Sequence, residues 1–245
     1  MKPAKALAAR LCAALVLAAP AAACRGPVSG PPSALPNLPL VENPAQGKGD
    51  TFVVLYSGDG GWVKIDRGLA DGFTKAGVPV VGCDSLRYFW RARTAAEGAA
   101  DLTAILDHYS AAWRRPKVIV AGYSFGASAL PAIVAQLSPR ARAHVRLLAL
   151  VGVRDRSELQ FHLGDWLDLT SADARPVAPV LARLGSMPRI CVFGDRDRRD
   201  ACPAFAHGLI TAIKVGGDHH FSGDYAPVSA AILRSAGLVR HHANP

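Results

Sequence analysis

From residue 50 onward the chain alternates two patterns. Short apolar runs, closed by Gly, Pro or Asp, occupy 51–56, 78–83, 117–122, 146–151, 189–194 and 210–215. They lack polar alternation, as strands buried on both faces of a parallel sheet do. The segments between them carry a helical period instead. Leu102, Ile105, Leu106 and Tyr109 share one face at i, i+3, i+4 and i+7, and further helices are expected after Asp66, Gly126 and Asp224. Strand and helix alternating from end to end predicts an α/β fold: a mostly parallel sheet with helices on both faces. In such a sheet, binding and catalytic groups collect at the C-terminal ends of the strands.

The first fifty residues break this pattern. Lys2, Lys5 and Arg10 precede an apolar run at 11–19, Pro20 ends it, and Ala21, Ala22 and Ala23 follow. This is the layout of a secretory signal peptide over 1–23, with an apolar run too short to span a bilayer. Cys24 comes next. It emerges either as a free terminal thiol or, after lipoprotein-type cleavage at the same bond, as a lipid anchor to the membrane. Ala21 stands where lipoprotein signals usually carry a large aliphatic residue. Residues 24–49 are rich in Pro and Gly and read as a linker, with room for a short edge strand at 38–42. The remainder, 50–245, is long enough for one α/β domain.

Half the residues are hydrophobic and 19% are charged, which excludes a disordered chain. The formal charge is +9, and loss of the leader takes three lysines and arginines with it. The rest of the excess is spread, with clusters at Arg87, Arg91 and Arg93 and at Arg196, Arg198 and Arg199. No nucleic-acid motif accompanies them, and export argues against that partner. An anionic membrane surface or lipid head group suits the charge, and so does an ordinary solvated basic surface. Export also changes how the cysteines read. Cys191 and Cys202 are the natural disulfide pair, closing a short loop, while Cys83, ending a Val-rich run, reads as a small core residue.

The strongest chemical signal is Gly122-Tyr123-Ser124-Phe125-Gly126. G-x-S-x-G alone is common, so its setting carries the weight: a strand at 117–121 precedes it and a helix at 127–137 follows. That is the strand–turn–helix of a nucleophile elbow, the hallmark of the α/β-hydrolase fold. Its serine needs small residues two before and two after, and Gly122 and Gly126 supply them. The rival is a tight βα turn with a capping serine. A serine nucleophile needs a base and an orienting acid, which follow it in the order acid, then His. Asp197 lies three residues past Gly194 at a strand end and is preferred to Asp195 and Asp200, which suit salt bridges with nearby Arg. His219 directly follows a Gly-Gly-Asp turn and is the expected base, with His220 as the alternative. His241 and His242 belong to the tail. No spaced ligand set accompanies the histidines, so neither a metal nor a cofactor is expected. The Gly-rich loop after the first core strand, Ser57-Gly58-Asp59-Gly60-Gly61-Trp62, supplies the second oxyanion donor: the Asp59 amide would join that of Phe125.

Ser57-Gly58-Asp59-Gly60-Gly61-Trp62, Asp84-Ser85-Leu86-Arg87-Tyr88-Phe89-Trp90, the elbow and Asp218-His219-His220-Phe221 together resemble the bacterial virulence protein family of VirJ and AcvB, over about 38–233. The chain is similar to the short, single-domain VirJ form, and the Cys191–Cys202 pair fits the family's pattern. The resemblance implies a periplasmic protein. For AcvB-type members it implies hydrolysis of aminoacylated phosphatidylglycerol, chiefly the lysyl form; for VirJ it implies a link to type IV secretion and its proteins. Ser128 departs from the family, which often carries an acid two residues past the second elbow glycine. An enzyme for such a lipid needs an acid for the ammonium groups and a cation for the phosphate. Asp59 or Asp84 suits the first role and Arg87 the second, with Tyr88, Phe89 and Trp90 lining an acyl or glycerol pocket or touching the bilayer. The rival for 84–90 is a loop packed under the sheet edge with Asp84 capping. For the whole chain the rivals are a non-catalytic binding protein or secretion chaperone on a hydrolase scaffold, and an esterase acting on small-molecule or peptide esters.

Overall fold

Strands that are apolar on both faces need cover on both sides, and the helices supply it. A computed structural model describes residues 35–161 and 174–239; the leader, Cys24, the start of the linker, His241 and His242 lie outside them. In chain order the elements are β1 (Leu40–Asn43), β2 (Thr51–Tyr56), α1 (Lys64–Lys75), β3 (Val80–Cys83), α2 (Ser85–Tyr88), α3 (Ala95–Ala112), β4 (Lys117–Tyr123), α4 (Phe125–Ala135) and α5 (Pro139–Arg142). Then come β5 (Val145–Val151), β6 (Arg156–Ser157), β7 (Arg175–Pro176), α6 (Ala178–Ala182), β8 (Arg189–Gly194), α7 (Cys202–Phe205), β9 (Thr211–Val215) and α8 (Ala226–Ser235).

Among the described residues, seven strands form one sheet in the order β1-β3-β2-β4-β5-β8-β9, parallel throughout except for β1, which pairs antiparallel with β3 at the edge. Each apolar run of the sequence has become one strand, and the edge strand expected at 38–42 appears as β1. The run at 78–83 pairs as a strand only from Val80. Pro79 has no amide to donate, and the Val78 amide closes the end of α1 on the Phe73 carbonyl. Side chains alternate across the sheet. Phe52, Val54 and Tyr56 of β2 face a core shared with Leu102, Ile105 and Leu106 of α3 and Leu130 and Ile133 of α4. Val53 and Leu55 face the other core, with Leu69 and Phe73 of α1 and Val228 and Ile232 of α8. Each such buried side chain contributes roughly 1.5–3 kcal/mol.

The sheet order locates the site. From β2 the chain turns outward to β3, while from β4 it turns the other way to β5. The crossovers therefore diverge between β2 and β4, and a crevice opens at their C-terminal ends. The loop 57–62 and the elbow leave from those two ends.

Candidate active site

Ser124 stands between the last residue of β4 and the first of α4, at φ 52° and ψ −112°. A non-glycine residue is rarely held there, and the strain turns the hydroxyl out of the strand. The turn is possible because its flanks approach closely. A Cβ on Gly122 would lie 2.6 Å from the Gly126 carbonyl carbon, and one on Gly126 would lie 2.5 Å from the Ser57 oxygen. The Ser124 amide donates to the Val151 carbonyl at 2.8 Å, tying the turn to β5.

Ser124 Oγ lies 2.9 Å from His219 Nε2, and His219 Nδ1 lies 2.6 Å from Asp197 Oδ2. The three residues come from the ends of β4, β9 and β8, in contact although 22 and 95 positions apart. Asp197 is nearly buried, and its Oδ1 accepts the Arg199 amide at 3.0 Å. Burial pushes its carboxyl up, but the His219 hydrogen bond and the Arg199 amide outweigh that, so it titrates below the ordinary carboxylate value. His219 is held below its usual 6.5, first by burial and then by the charge of Arg154, against the pull of Asp197. Its ring rests beside Tyr123 and over Gly152, which sits at φ +66° just past β5. The Cys191–Cys202 disulfide, with Cα atoms 5.7 Å apart, closes the loop that carries Asp197. Cys83 is a buried free thiol.

The sequence left His219 and His220 open as base, and the geometry separates them. His220 Nδ1 sits 3.0 Å from the Tyr123 hydroxyl, away from the Ser124–Asp197 chain. Asp195 and Asp200 serve the backbone: Asp195 Oδ1 accepts the Gly217 amide at 2.8 Å and Asp200 Oδ1 the Cys202 amide at 2.7 Å.

The loop after β2 is fastened to the elbow by the Gly126 amide, which donates to the Ser57 carbonyl at 3.2 Å. Ser57 Oγ accepts the Ser85 amide, and the buried carboxylate of Asp66 accepts the Val63 amide at 3.0 Å. Burial raises Asp66 to about 7. Trp62 lies on the sheet where Gly82 has no side chain; a Cβ there would meet its ring at 2.3 Å. Asp59 and Phe125 both line the cleft, and among the described residues neither amide has a hydrogen-bond partner.

A cleft of about 620 Å³ surrounds Ser124, His219 and His220, with the charged side chains of Asp59, Arg154, Arg156 and Glu158 also in its walls. Asp84, Arg87, Tyr88 and Trp90, expected to bind substrate, are not among its walls. Their segment packs under the sheet edge. Asp84 accepts the Arg87 amide at 3.2 Å and caps α2, leaving the Arg87 side chain exposed. Buried Tyr88 donates to Asp101 at 2.5 Å, and Trp90 stacks on Phe161. Phe89 backs Phe125 at 5.2 Å between ring centroids, so the motif supports the oxyanion side from behind. The charges missed in the sequence are Arg154, Arg156 and Glu158. Their signal was a run of charges directly after a strand end, in the same chain order as the elbow and the acid. Beside the cleft lies a mostly apolar cavity of about 270 Å³, walled by Pro131, Ala132, Leu159, Val177 and Val180 and meeting the cleft at Ser128 and Glu158. Among the described residues, no group of three or more His, Cys, Asp or Glu is placed to hold a metal ion.

The sheet order and the elbow define an α/β-hydrolase fold, and solved structures agree. Est1E from Butyrivibrio proteoclasticus superposes with a TM-score of 0.56 at 13% identity, covering 81% of this chain and 94% of its own. TT1662 from Thermus thermophilus gives 0.55 at 17% identity, covering 83% and 95%. YbtT, the type II thioesterase of the yersiniabactin pathway, gives 0.53 at 16%, covering 81% and 98%. At such identities the likeness concerns the fold alone. More narrowly, residues 50–238 match the bacterial virulence protein (VirJ) family, and the chain belongs to that family. No curated protein matches the chain.

Proposed function

We propose that this protein is a periplasmic serine esterase that hydrolyses aminoacyl esters of phospholipids, of the lysyl-phosphatidylglycerol type. The observation that carries the hydrolase reading is the unbroken chain from Ser124 Oγ through His219 to Asp197, at 2.9 and 2.6 Å, in front of a helix N-terminus. Ser124 attacks the ester carbonyl as its proton passes to His219 Nε2, and Asp197 holds the ring and stabilises the imidazolium. The Phe125 and Asp59 amides receive the developing oxyanion, each such donor being worth about 10²–10³ in rate. The imidazolium returns its proton to the leaving alcohol, and water repeats the cycle on the acyl-enzyme.

The substrate class is supported by family membership and by a cleft that offers both cations and carboxylates. Glu158 suits the substrate ammonium, a role for which the sequence offered Asp59 or Asp84, and the apolar cavity beside it suits hydrocarbon. The export signal read at 1–23 supports the periplasmic setting, and Cys24 would hold a lipidated form beside its substrate.

The test incubates the mature protein with lysyl-phosphatidylglycerol and follows free lysine, with Ser124→Ala as control. Release that disappears in the variant supports both mechanism and substrate. No release from a protein whose Ser124 reacts with a fluorophosphonate keeps the hydrolase and discards the lipid. If neither signal appears, the chain is a binding protein on a hydrolase scaffold, such as a secretion-associated chaperone.

A further inference from the structure

An oxyanion donor stabilises charge only if it is held in place before the charge appears. The loop that carries the Asp59 amide is ill suited to hold itself. Three of the four residues Gly58-Asp59-Gly60-Gly61 are glycines, which lose the most backbone freedom on ordering. They form a tight turn, with the Gly61 amide on the Gly58 carbonyl at 3.2 Å and Gly61 at φ +77°. Such a turn bonds its outer residues to each other and leaves the amides of its two central residues, here Asp59 and Gly60, unclaimed. Its first residue abuts the nucleophile: a Cβ on Gly58 would lie 3.1 Å from the Tyr123 ring and 3.6 Å from the Ser124 Cβ. A slip of the turn therefore moves the Asp59 amide relative to Ser124.

Two carboxylates from different elements fasten this loop. Asp66, in the first turn of α1, is fully buried, and its Oδ2 accepts the Val63 amide at 3.0 Å. The Gly58 amide also favours its ionised form, so the carboxylate serves both ends of the loop. Capping α1 does not account for the burial. In α3 the same cap is made by Glu97, at the matching position, and that side chain is exposed. Among the described residues no cation pairs with Asp66, and its Oδ1 makes no hydrogen bond. An acid buried in this way costs stability. Asp84, just past the end of β3, meets the loop at another point. Its Oδ1, which accepts the Arg87 amide, lies 3.0 Å from where a Cβ on Gly61 would stand, and the Trp62 amide favours its ionised form. The charge of Asp84 also raises Asp66, so placing both beside one loop opposes folding. What the two acids secure is the loop. We propose that Asp66 and Asp84 are positioning residues for the oxyanion hole, holding residues 57–63 against the elbow so that the Asp59 amide stays beside that of Phe125. Neither lines the cleft, so both act through the backbone they hold. This role rests on the esterase reading above and deepens it: the buried acid of α1 and the Asp84 turn both take part in the reaction.

Asp66→Ala removes the first contact. Asp84→Ser withdraws the carboxylate from Gly61 but leaves a hydroxyl able to cap α2. Both are measured on the full mature protein with p-nitrophenyl acetate, and rates are divided by the sites that a fluorophosphonate labels at completion. Octyl trifluoromethyl ketone, whose adduct with the serine carries the oxyanion, is the second probe. Per labelled site, kcat/KM should fall about 10²-fold in Asp66→Ala and about tenfold in Asp84→Ser, with the ketone inhibition constant rising by matching factors. Unchanged kcat/KM per labelled site, whatever the thermal midpoint, makes the two acids structural only and overturns the proposal. So does a fall in kcat/KM with the ketone bound as tightly as by the wild type. Should Asp66→Ala not fold, Asp84→Ser alone decides, since that side chain is only half-buried and the cap is retained. A wild type that neither hydrolyses the ester nor takes the label refutes the esterase reading, and the positioning role falls with it. That outcome is distinct from the others because it appears before any substitution is made.

Discussion

His219 and His220 are neighbours in sequence with different surroundings: one bridges Ser124 and Asp197, the other meets the Tyr123 hydroxyl. His219→Ala should therefore lower kcat at least about 10⁴-fold, as loss of a triad base does. His220→Ala should cost less than about tenfold, since it removes no hydrogen bond within the relay. Steady-state kinetics on any accepted ester separates the two, and the reverse ranking would make His220 the base. The same environment sets the pH dependence. His219 must be neutral to accept the serine proton, and burial together with Arg154 holds it below 6.5. Activity is then present above a midpoint lower than 6.5 and lost as pH falls through it. Arg154→Met removes a cation that opposes protonation, so the acid limb of its kcat/KM profile should move to higher pH; a downward move contradicts the assignment.

At the scale of the element, the site depends on how closely strand ends approach. The ring of His219 occupies the space beside Gly152, where a Cβ would lie 2.8 Å from Cε1 and where φ is +66°. Gly152→Ala should displace the imidazole and lower kcat by about 10²-fold while the fold persists, because small misplacements of a catalytic group cost that much. Circular dichroism should show native content, and fluorophosphonate labelling of Ser124 should slow in parallel with kcat. A normal labelling rate would show that the ring is oriented by Asp197 alone. The segment Asp84–Trp90 makes the complementary point. A sequence stretch rich in charge and aromatics looked like a binding surface, yet Tyr88 and Phe89 are buried against each other, Phe89 lies behind Phe125, and exposed Trp90 stacks on Phe161 outside the cleft. Composition alone does not distinguish a lined pocket from the wall behind one.

Over the whole molecule, the disulfide links β8 to α7 across a separation of 11 residues. Loop closure of that size is worth about 3 kcal/mol. Reduction, or joint replacement of Cys191 and Cys202 by Ala, should lower the thermal midpoint by that measure and loosen the loop holding Asp197, reducing kcat as well. Thermal unfolding with and without reductant checks this, and an unchanged midpoint would mean that packing of Cys202 and Phe205 alone secures the loop. The strands, the helix of Leu102 to Tyr109, the elbow with its two glycines and the chain order of Ser124, Asp197 and His219 were legible in the sequence, because each is a local pattern of period, size or position after a strand. Which histidine reaches Ser124, which cations face it, and that Arg87 does not, were decided only by the tertiary structure. The sheet order β1-β3-β2-β4-β5-β8-β9 brings the ends of β4, β5, β8 and β9 together and carries the turn after β3 to the edge, and distances across a sheet follow strand order rather than separation along the chain.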